Sequence, residues 1–494
     1  MRWQVRISSK IRSIACGLAV AALFAVPAVA QKKAQASNMQ LLGFNDLQGR
    51  NGYIPTIQKQ GDRWIAYIAH HNDKPLRVNS LTGKEEPNGT SIVDVTDVHH
   101  PKYLYHIPGQ PGGSGAPFAR TCSGDVLPHG EKGKYYLLRA YGAVSWELWD
   151  VTDPSKPEKM NTVLDGLENT HNGWWECDTG IAYLGGGPLK WLSHPMGHDR
   201  HDALSHTSIF DLSDPKKPVF IRDFGLPGQQ PGSAYPQPLS GLHGMISTGP
   251  KGNRVYFSNG DAQDGILEIV DREKLLTGPK ELTDANLLYP VVGKIELPPD
   301  MGTDMAFPLL HVYLPEFAKQ KEGFVKDFLA VVGEGHADLY ECQDARQMMR
   351  IFDISTESKP VGVSTFTVPE ESGHFCTSGG YFSTHSTNEN FTPIYYNKIL
   401  FVAHHNAGVR AVDIRDPLHP KEIGYYIPAT DSMSKCVGKP DKPCQVAPDT
   451  NNLEVDDRGY VYLVDSNDNG LHIVELTGEA RQIADFSKAD GAGK

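Results

Sequence analysis

The chain has 494 residues, with 47 Lys and Arg against 59 Asp and Glu, for a net charge of −12. So acidic a chain lacks the basic footprint that nucleic-acid phosphates or an anionic membrane surface demand, and neither partner is expected. Past the first thirty residues, no stretch approaches the roughly 18 consecutive apolar residues of a membrane helix.

Residues 1–30 read as a targeting segment rather than structure. Arg2, Arg6, Lys10 and Arg12 precede a short apolar run, Ile14 to Val26, and Ala28-Val29-Ala30 has the small-x-small form of a cleavage site. Cys16 lies inside the apolar run, not at its end, which argues against a lipid anchor. Removing those four positive charges from −12 leaves −16 on a mature chain expected to be periplasmic or secreted. Six cysteines remain, an even number that favours disulfides in an exported protein. Cys436 and Cys444 bracket a short loop rich in Pro, Gly and Lys and form the clearest pair, while Cys122–Cys177 and Cys342–Cys376 follow from chain order alone. The alternative use of these thiols is a soft metal site.

One motif recurs along residues 31–494, which are read as a single domain. A short hydrophobic strand ends in Asp, a turn follows, and a proline stands four residues after the turn's first residue. The copies are Ser91–Asp94 with Asp97 and Pro101, Glu147–Asp150 with Asp153 and Pro157, and Ser208–Asp211 with Asp214 and Pro218. Leu267–Asp271 has lost the proline turn. Then come Arg350–Asp353 with Thr356 and Pro360, Arg410–Asp413 with Asp416 and Pro420, and finally Leu471–Glu475. The strand ends are separated by 56, 61, 60, 82, 60 and 62 residues, and the long interval holds insertions near Glu273–Leu287 and Pro315–Lys326. Seven units at this period read as blades of a β-propeller. Each unit can supply four strands, because another apolar strand precedes each copy and an outer strand follows each proline turn. The Asp residues are read as structural: Asp bonds its own backbone two residues on, and Pro blocks strand continuation. The last unit lacks a clear outer strand apart from Ala480–Phe486, so the simplest closure uses Met39–Leu47 from the N-terminus, which removes free sheet edges. The expectation is an all-β, seven-bladed propeller with four-stranded blades.

The Val-Asp-Ile-Arg-Asp-Pro turn, best matched by Ala407–Pro417, resembles the LVIVD-repeat propeller family, and the resemblance spans nearly all of the chain after residue 30. It implies the propeller fold and leaves the activity open, since propellers host many functions.

In propellers, the start of each innermost strand and the loop between second and third strands share one mouth of the central channel. Polar residues concentrate at those positions. The inner-strand starts carry Cys122–Asp125, His171, His243, His311, His385 and Asp449–Asn451. The loops carry His70-His71-Asn72, Asp261 with Asp264, Glu334-Gly335-His336, His404-His405-Asn406 and the cluster His194, His198, Asp199, His201 and His206. Neutral imidazoles and carboxylates converging in a funnel suit a divalent transition metal such as Zn, Cu, Mn or Fe. The metal-ligand set is read as His71, His171, His243, His311, His385, His404 and His405. The competing reading is that such histidines merely cap strand ends. Trp174, Trp175 and Trp191 could line an apolar pocket near the same blade, or pack the blade itself.

The chain has no G-x-S-x-G elbow and no P-loop, and its Asp465–Gly470 turn lacks the distal Glu of an EF-hand. Three functions remain. The first is a metal-dependent oxidoreductase or hydrolase acting on a small organic molecule, distantly similar to the methanethiol oxidase (selenium-binding protein) propellers but without their Cys-rich signature. The second is a non-catalytic binding or scaffold propeller. The third is a cation-dependent lactonase or esterase, disfavoured where His outnumbers carboxylates.

Overall fold

A computed structural model describes residues 32–71, 76–188, 205–315, 324–335, 342, 345–431, 434–437 and 444–489. The targeting segment, Trp191, His194, His198, Asp199, His201, His336 and Asn72 lie outside the described residues.

Seven antiparallel sheets form the blades. Blade 1 runs Ile54–Gln60, Arg63–His71, Gly89–Asp94 and Lys102–Pro108, and blades 2 to 5 repeat this up-and-down order outward from the channel. The repeated Asp does what its chemistry predicts. The Oδ1 atoms of Asp94, Asp150, Asp211, Asp353 and Asp413 each accept from the backbone N–H two residues on, at 2.8–3.1 Å. The second Asp of the motif does the same at Asp97, Asp153, Asp214 and Asp416. Two successive side-chain turns thus redirect the chain into the outer strand. A bulge recurs where third and fourth strands pair, at Ile92/Val93, Leu148/Trp149, Ile209/Phe210, Ile269/Val270, Ile351/Phe352 and Ala411/Val412. Bulges increase strand twist, which a wedge-shaped blade needs at its rim.

The N-terminal strand Met39–Asn45 pairs with Leu471–Leu476 and completes blade 7, as the sequence predicts. Residues Ala480–Phe486 are not a strand, since helix Gly478–Ile483 starts there. Ahead of the closing strand, Gln35–Ser37 pairs with the outer strand Lys421–Ile427 of blade 6, so the N-terminal segment ties two neighbouring blades. Ring closure is visible in the core: Ala66, Ile68 and Val93 of blade 1 pack with Tyr462, Val464 and Ile473 of blade 7. The insertion after blade 4's third strand folds as helices Arg272–Thr277 and Asp284–Leu288. Blade 6 has an irregular innermost segment, held by the Thr387–Val402 bridge and by bonds from His385 N to Ala403 O and from Ala403 N to Ser386 O.

All three expected disulfides form: Cys122–Cys177, Cys342–Cys376 and Cys436–Cys444. Their thiols are therefore not metal ligands. No helix among the described residues is long and apolar enough to cross a membrane.

Candidate functional site

One mouth of the channel opens into a cavity of about 470 Å³, lined by residues from six blades, among them Tyr53, His71, His171, His243, Asp261 and Glu334. The inner strands deliver Tyr53 just ahead of Ile54–Gln60, His171 ahead of Gly173–Trp175, His243 within Leu242–Ser247, and Asp304 immediately before Met305–Tyr313. The loops between second and third strands deliver His71, Asp261, Glu334 and His405.

Two overlapping groups of side chains bring ligand atoms close enough together to hold a metal ion. His243, Asp261 and Glu334 each place a ligand atom within 4.8 Å of the others, and so do Asp304, Glu334 and His385. Glu334 belongs to both. His243 Nδ1 lies 2.5 Å from Asp304 Oδ1, which links the groups a second time. The two histidines are held in opposite states. Burial pulls the His243 imidazole toward neutrality, but Asp304, then Asp261 and Glu334, outweigh it and hold its pKa up at about 10. Burial dominates at His385 and pushes it down to about 3.

His385 is the most informative member. Only 1% of it is exposed, and neither ring nitrogen has a hydrogen-bond partner. Its Nε2 lies 3.5 Å from Glu334 Oε1, outside good hydrogen-bond geometry. Buried imidazoles ordinarily pair at least one nitrogen. His70 shows the ordinary state, with Nδ1 at 2.6 Å from Asn51 O and Nε2 at 2.7 Å from Ser91 Oγ.

Beside this group stands an aromatic and histidine wall. Tyr53 Oη is 2.7 Å from His171 Nε2, and the Tyr53 ring stacks on His71 at 5.0 Å between centroids. The His171 and His243 rings are 4.7 Å apart. Burial lowers the pKa of both His71 and His171, keeping them neutral. His405 packs 5.3 Å from His385 and places Nδ1 at 2.7 Å from Asp449 Oδ1.

Of the seven histidines read as ligands, the structure thus gathers five: His71, His171, His243, His385 and His405. Two are corrected. His404 turns to the other side of its chain segment, into a separate cavity of about 260 Å³ beside Cys342, Arg346 and Phe382. Adjacent residues of a strand point to opposite sides, and His404 and His405, in the turn after Ile399–Ala403, likewise diverge. The same parity sends His70 into blade 1 and His71 to the cavity. His311 is at the wrong end of its strand. Met305–Tyr313 begins six residues before it, and His311 lies at a bulge with φ of 59° and an 81% exposed side chain. Asp304 occupies the position expected of His311. His206 is buried inside blade 3 near Asp223 and does not reach the cavity. Trp174 and Trp175 line a different cavity, of about 600 Å³, together with His311.

Sequence reasoning missed Asp304 and Tyr53. It noted Asp261 and Glu334 as polar loop residues without counting them as ligands. Placing the start of blade 5's inner strand at Met305 would have exposed Asp304. No sequence motif marks Tyr53.

No known family matches the sequence, and no curated protein does. Among solved structures, the chain is similar to the crystal structure of Chaetomium thermophilum Raptor, at 11% identity and a TM-score of 0.51. The match covers 91% of this chain and 30% of that one, and at such low identity it concerns the fold alone.

Proposed function

We propose that this chain is an exported propeller of the LVIVD type that binds a divalent transition metal at one channel mouth and there binds or transforms a small organic molecule. The observation carrying this reading is His385, a buried imidazole with two unpartnered nitrogens set among carboxylates. An orphaned polar side chain in a packed core is costly unless it serves a ligand. His243, Asp261, Asp304, Glu334 and His385 form a mixed nitrogen and oxygen donor set, the kind that suits Zn, Mn, Fe or Cu. Such an ion would supply Lewis-acid or redox chemistry. Tyr53 and His171, hydrogen-bonded to each other at the cavity wall, can pass a proton between Oη and Nε2.

A cation-dependent lactonase or esterase gains support from a specific observation. Three carboxylates and two histidines make up the ligand groups, so carboxylates outnumber imidazoles where it matters. Hydrolysis therefore stands beside oxidation as the reaction class.

Elemental analysis of the purified protein tests the metal. Wild type, dialysed against Zn, Mn, Fe and Cu salts in turn, should retain one of them stoichiometrically, and His243→Ala and His385→Ala should lose it. A wild type that retains none of the four ends the metal reading.

A further inference from the structure

The cavity has two unlike halves. The ligand groups come from blades 4, 5 and 6. The side formed by blades 7 and 1 presents hydrogen-bond donors instead, and its amides are oriented by their neighbours.

Asn51 lines the cavity at the start of blade 1, and its Oδ1 accepts from Asn88 Nδ2 at 2.6 Å. The orientation of Asn88 is itself fixed. Its Nδ2 also donates to the backbone oxygen of His71 at 3.2 Å, while its Oδ1 faces Arg50 Nη1 at 3.5 Å. Only an oxygen of Asn51 can meet that donor, so Asn51 turns its NH₂ group to the cavity. Asn451, in the inner strand Thr450–Val455 of blade 7, repeats the arrangement: its Oδ1 accepts from Asn452 Nδ2 at 2.7 Å, leaving the NH₂ as the group it offers. Lys435 adds charge. Its ammonium lies 2.9 Å from Asp468 Oδ1, but the other oxygen of Asp468 already pairs with Arg77 at 2.6 Å. Two cations share one carboxylate, so Lys435 is only half-engaged by Asp468. The Asp449 carboxylate on this side is engaged by His405. Its neighbour Asp465 is fully buried, and burial, reinforced by Asp449, raises its pKa to about 8, so it is largely protonated at neutral pH.

Two oriented amide donors and a half-engaged ammonium match an oxyanion. We infer that Asn51, Asn451 and Lys435 form a carboxylate subsite, so that the ligand of this cavity is a small organic acid whose carboxylate meets these donors while another of its oxygens points to the metal-ligand half. This inference rests on the metal reading for the second contact only. A neutral ligand can meet the two amide donors with a carbonyl or hydroxyl oxygen but leaves the Lys435 ammonium without a counter-charge, which is what favours a carboxylate.

The test is calorimetric titration of the metal-loaded full chain with acetate, lactate, pyruvate and benzoate, each against its primary amide, with metal content measured in parallel. At least one acid should bind about tenfold or more tightly than its amide, the size expected of a hydrogen bond to a charged group. Lys435→Gln, at a partly exposed position, and Asn451→Asp, which aims a carboxylate at the ligand, should each weaken that acid about tenfold without lowering metal content. If metal is retained and every acid binds no better than its amide, the carboxylate subsite is wrong and the metal reading stands. If no metal is retained, the metal reading fails, and the same titration on the metal-free chain decides the subsite: a preference abolished by Lys435→Gln supports it, and no preference overturns it.

Discussion

Replacing His385 with Leu should make the metal-free protein more stable and the metal-loaded protein less stable. In the absence of metal the neutral ring buries one N–H donor and one nitrogen acceptor, neither of them paired. Each such group costs about 1–3 kcal/mol. Leu has a similar volume and no polar atoms, so it removes this cost, and imperfect shape returns less than about 1.5 kcal/mol. With each group at the low end of that range, the expected net gain without metal is about 0.5–2 kcal/mol. Glu334 keeps its cavity-facing surface, so the substitution does not strand its charge. With metal, the wild type gains about 2.7 kcal/mol at a free concentration one hundred times Kd, and the variant forfeits most of this. The order of stability therefore inverts. Urea denaturation of both proteins, in EDTA and in the retained metal, measures it. A variant that is less stable than wild type by the same amount in both conditions would refute the reasoning, because that is how an ordinary packing histidine behaves.

Gly302 holds a second lever on the site, since a Cβ there would collide with the backbone carbonyl of Asp261. Gly302→Ala should push the Asp261 loop away from Asp304 and weaken metal affinity at least tenfold, read by competition with a chromogenic chelator; unchanged affinity would show that Asp261 is not held through this contact. Glu268, remote from the cavity, has its pKa raised by burial from 4.5 to about 7. The folded protein keeps this proton where the unfolded chain has lost it, so the resulting stability is full below pH 4.5 and disappears as pH rises through 7. The loss is about 3 kcal/mol across that window, and Glu268→Gln should flatten the urea-midpoint profile there by that amount. Removing the Cys122–Cys177 disulfide, which spans 55 residues, should cost roughly 4 kcal/mol, against about 2.5 kcal/mol for Cys436–Cys444, which spans 8. Equal costs in denaturation of the Cys→Ser pairs would point to native-state strain rather than chain entropy. At the closing strand, a Cβ on Gly43 would strike the backbone carbonyl of Val98, so Gly43→Val should destabilise blade 7 and speed hydrogen exchange in Leu471–Leu476.

The fold was legible because its punctuation is local. An Asp that bonds the N–H two residues on, followed by a second such Asp and a proline, leaves the same trace in every blade, whatever packs around it. The closing strand was legible by elimination, since the seventh unit had no outer partner. The site was legible only by region. Knowing that inner-strand starts and second loops share a mouth brought His71, His171, His243, His385 and His405 into one neighbourhood. It could not fix a strand start to the residue, and seven residues of error at blade 5 exchanged Asp304 for His311. Nor could it tell which member of His404-His405 faces the channel, because that parity depends on where the preceding strand ends. Tyr53 and the amide orientations at Asn51 and Asn451 depend on partners from distant stretches, such as Asn88, and no spacing rule reports those.

The placement of the two halves bears on how the site is kept in order. Blades 4, 5 and 6, which carry the ligand groups, are joined by continuous chain and by a shared core that includes Phe257, Phe307, Val332, Met349 and Val402. The donor half straddles blades 7 and 1, which are covalently linked only through the N-terminal strand that leaves blade 7 at Asn45 and enters blade 1 at Ile54. Between those points stand Asn51 and Tyr53. The segment that closes the ring is therefore the segment that carries one oriented amide and the tyrosine of the cavity wall. It is anchored on both sides of Tyr53: Gly52 N donates to Asp465 O at 2.9 Å, and Tyr53 N donates to Ala69 O at 2.9 Å. Closure of the propeller and preorganisation of this half of the cavity are thus one structural event, whereas the half that carries His243, Asp304, Glu334 and His385 is built from blades that need no closure to be neighbours.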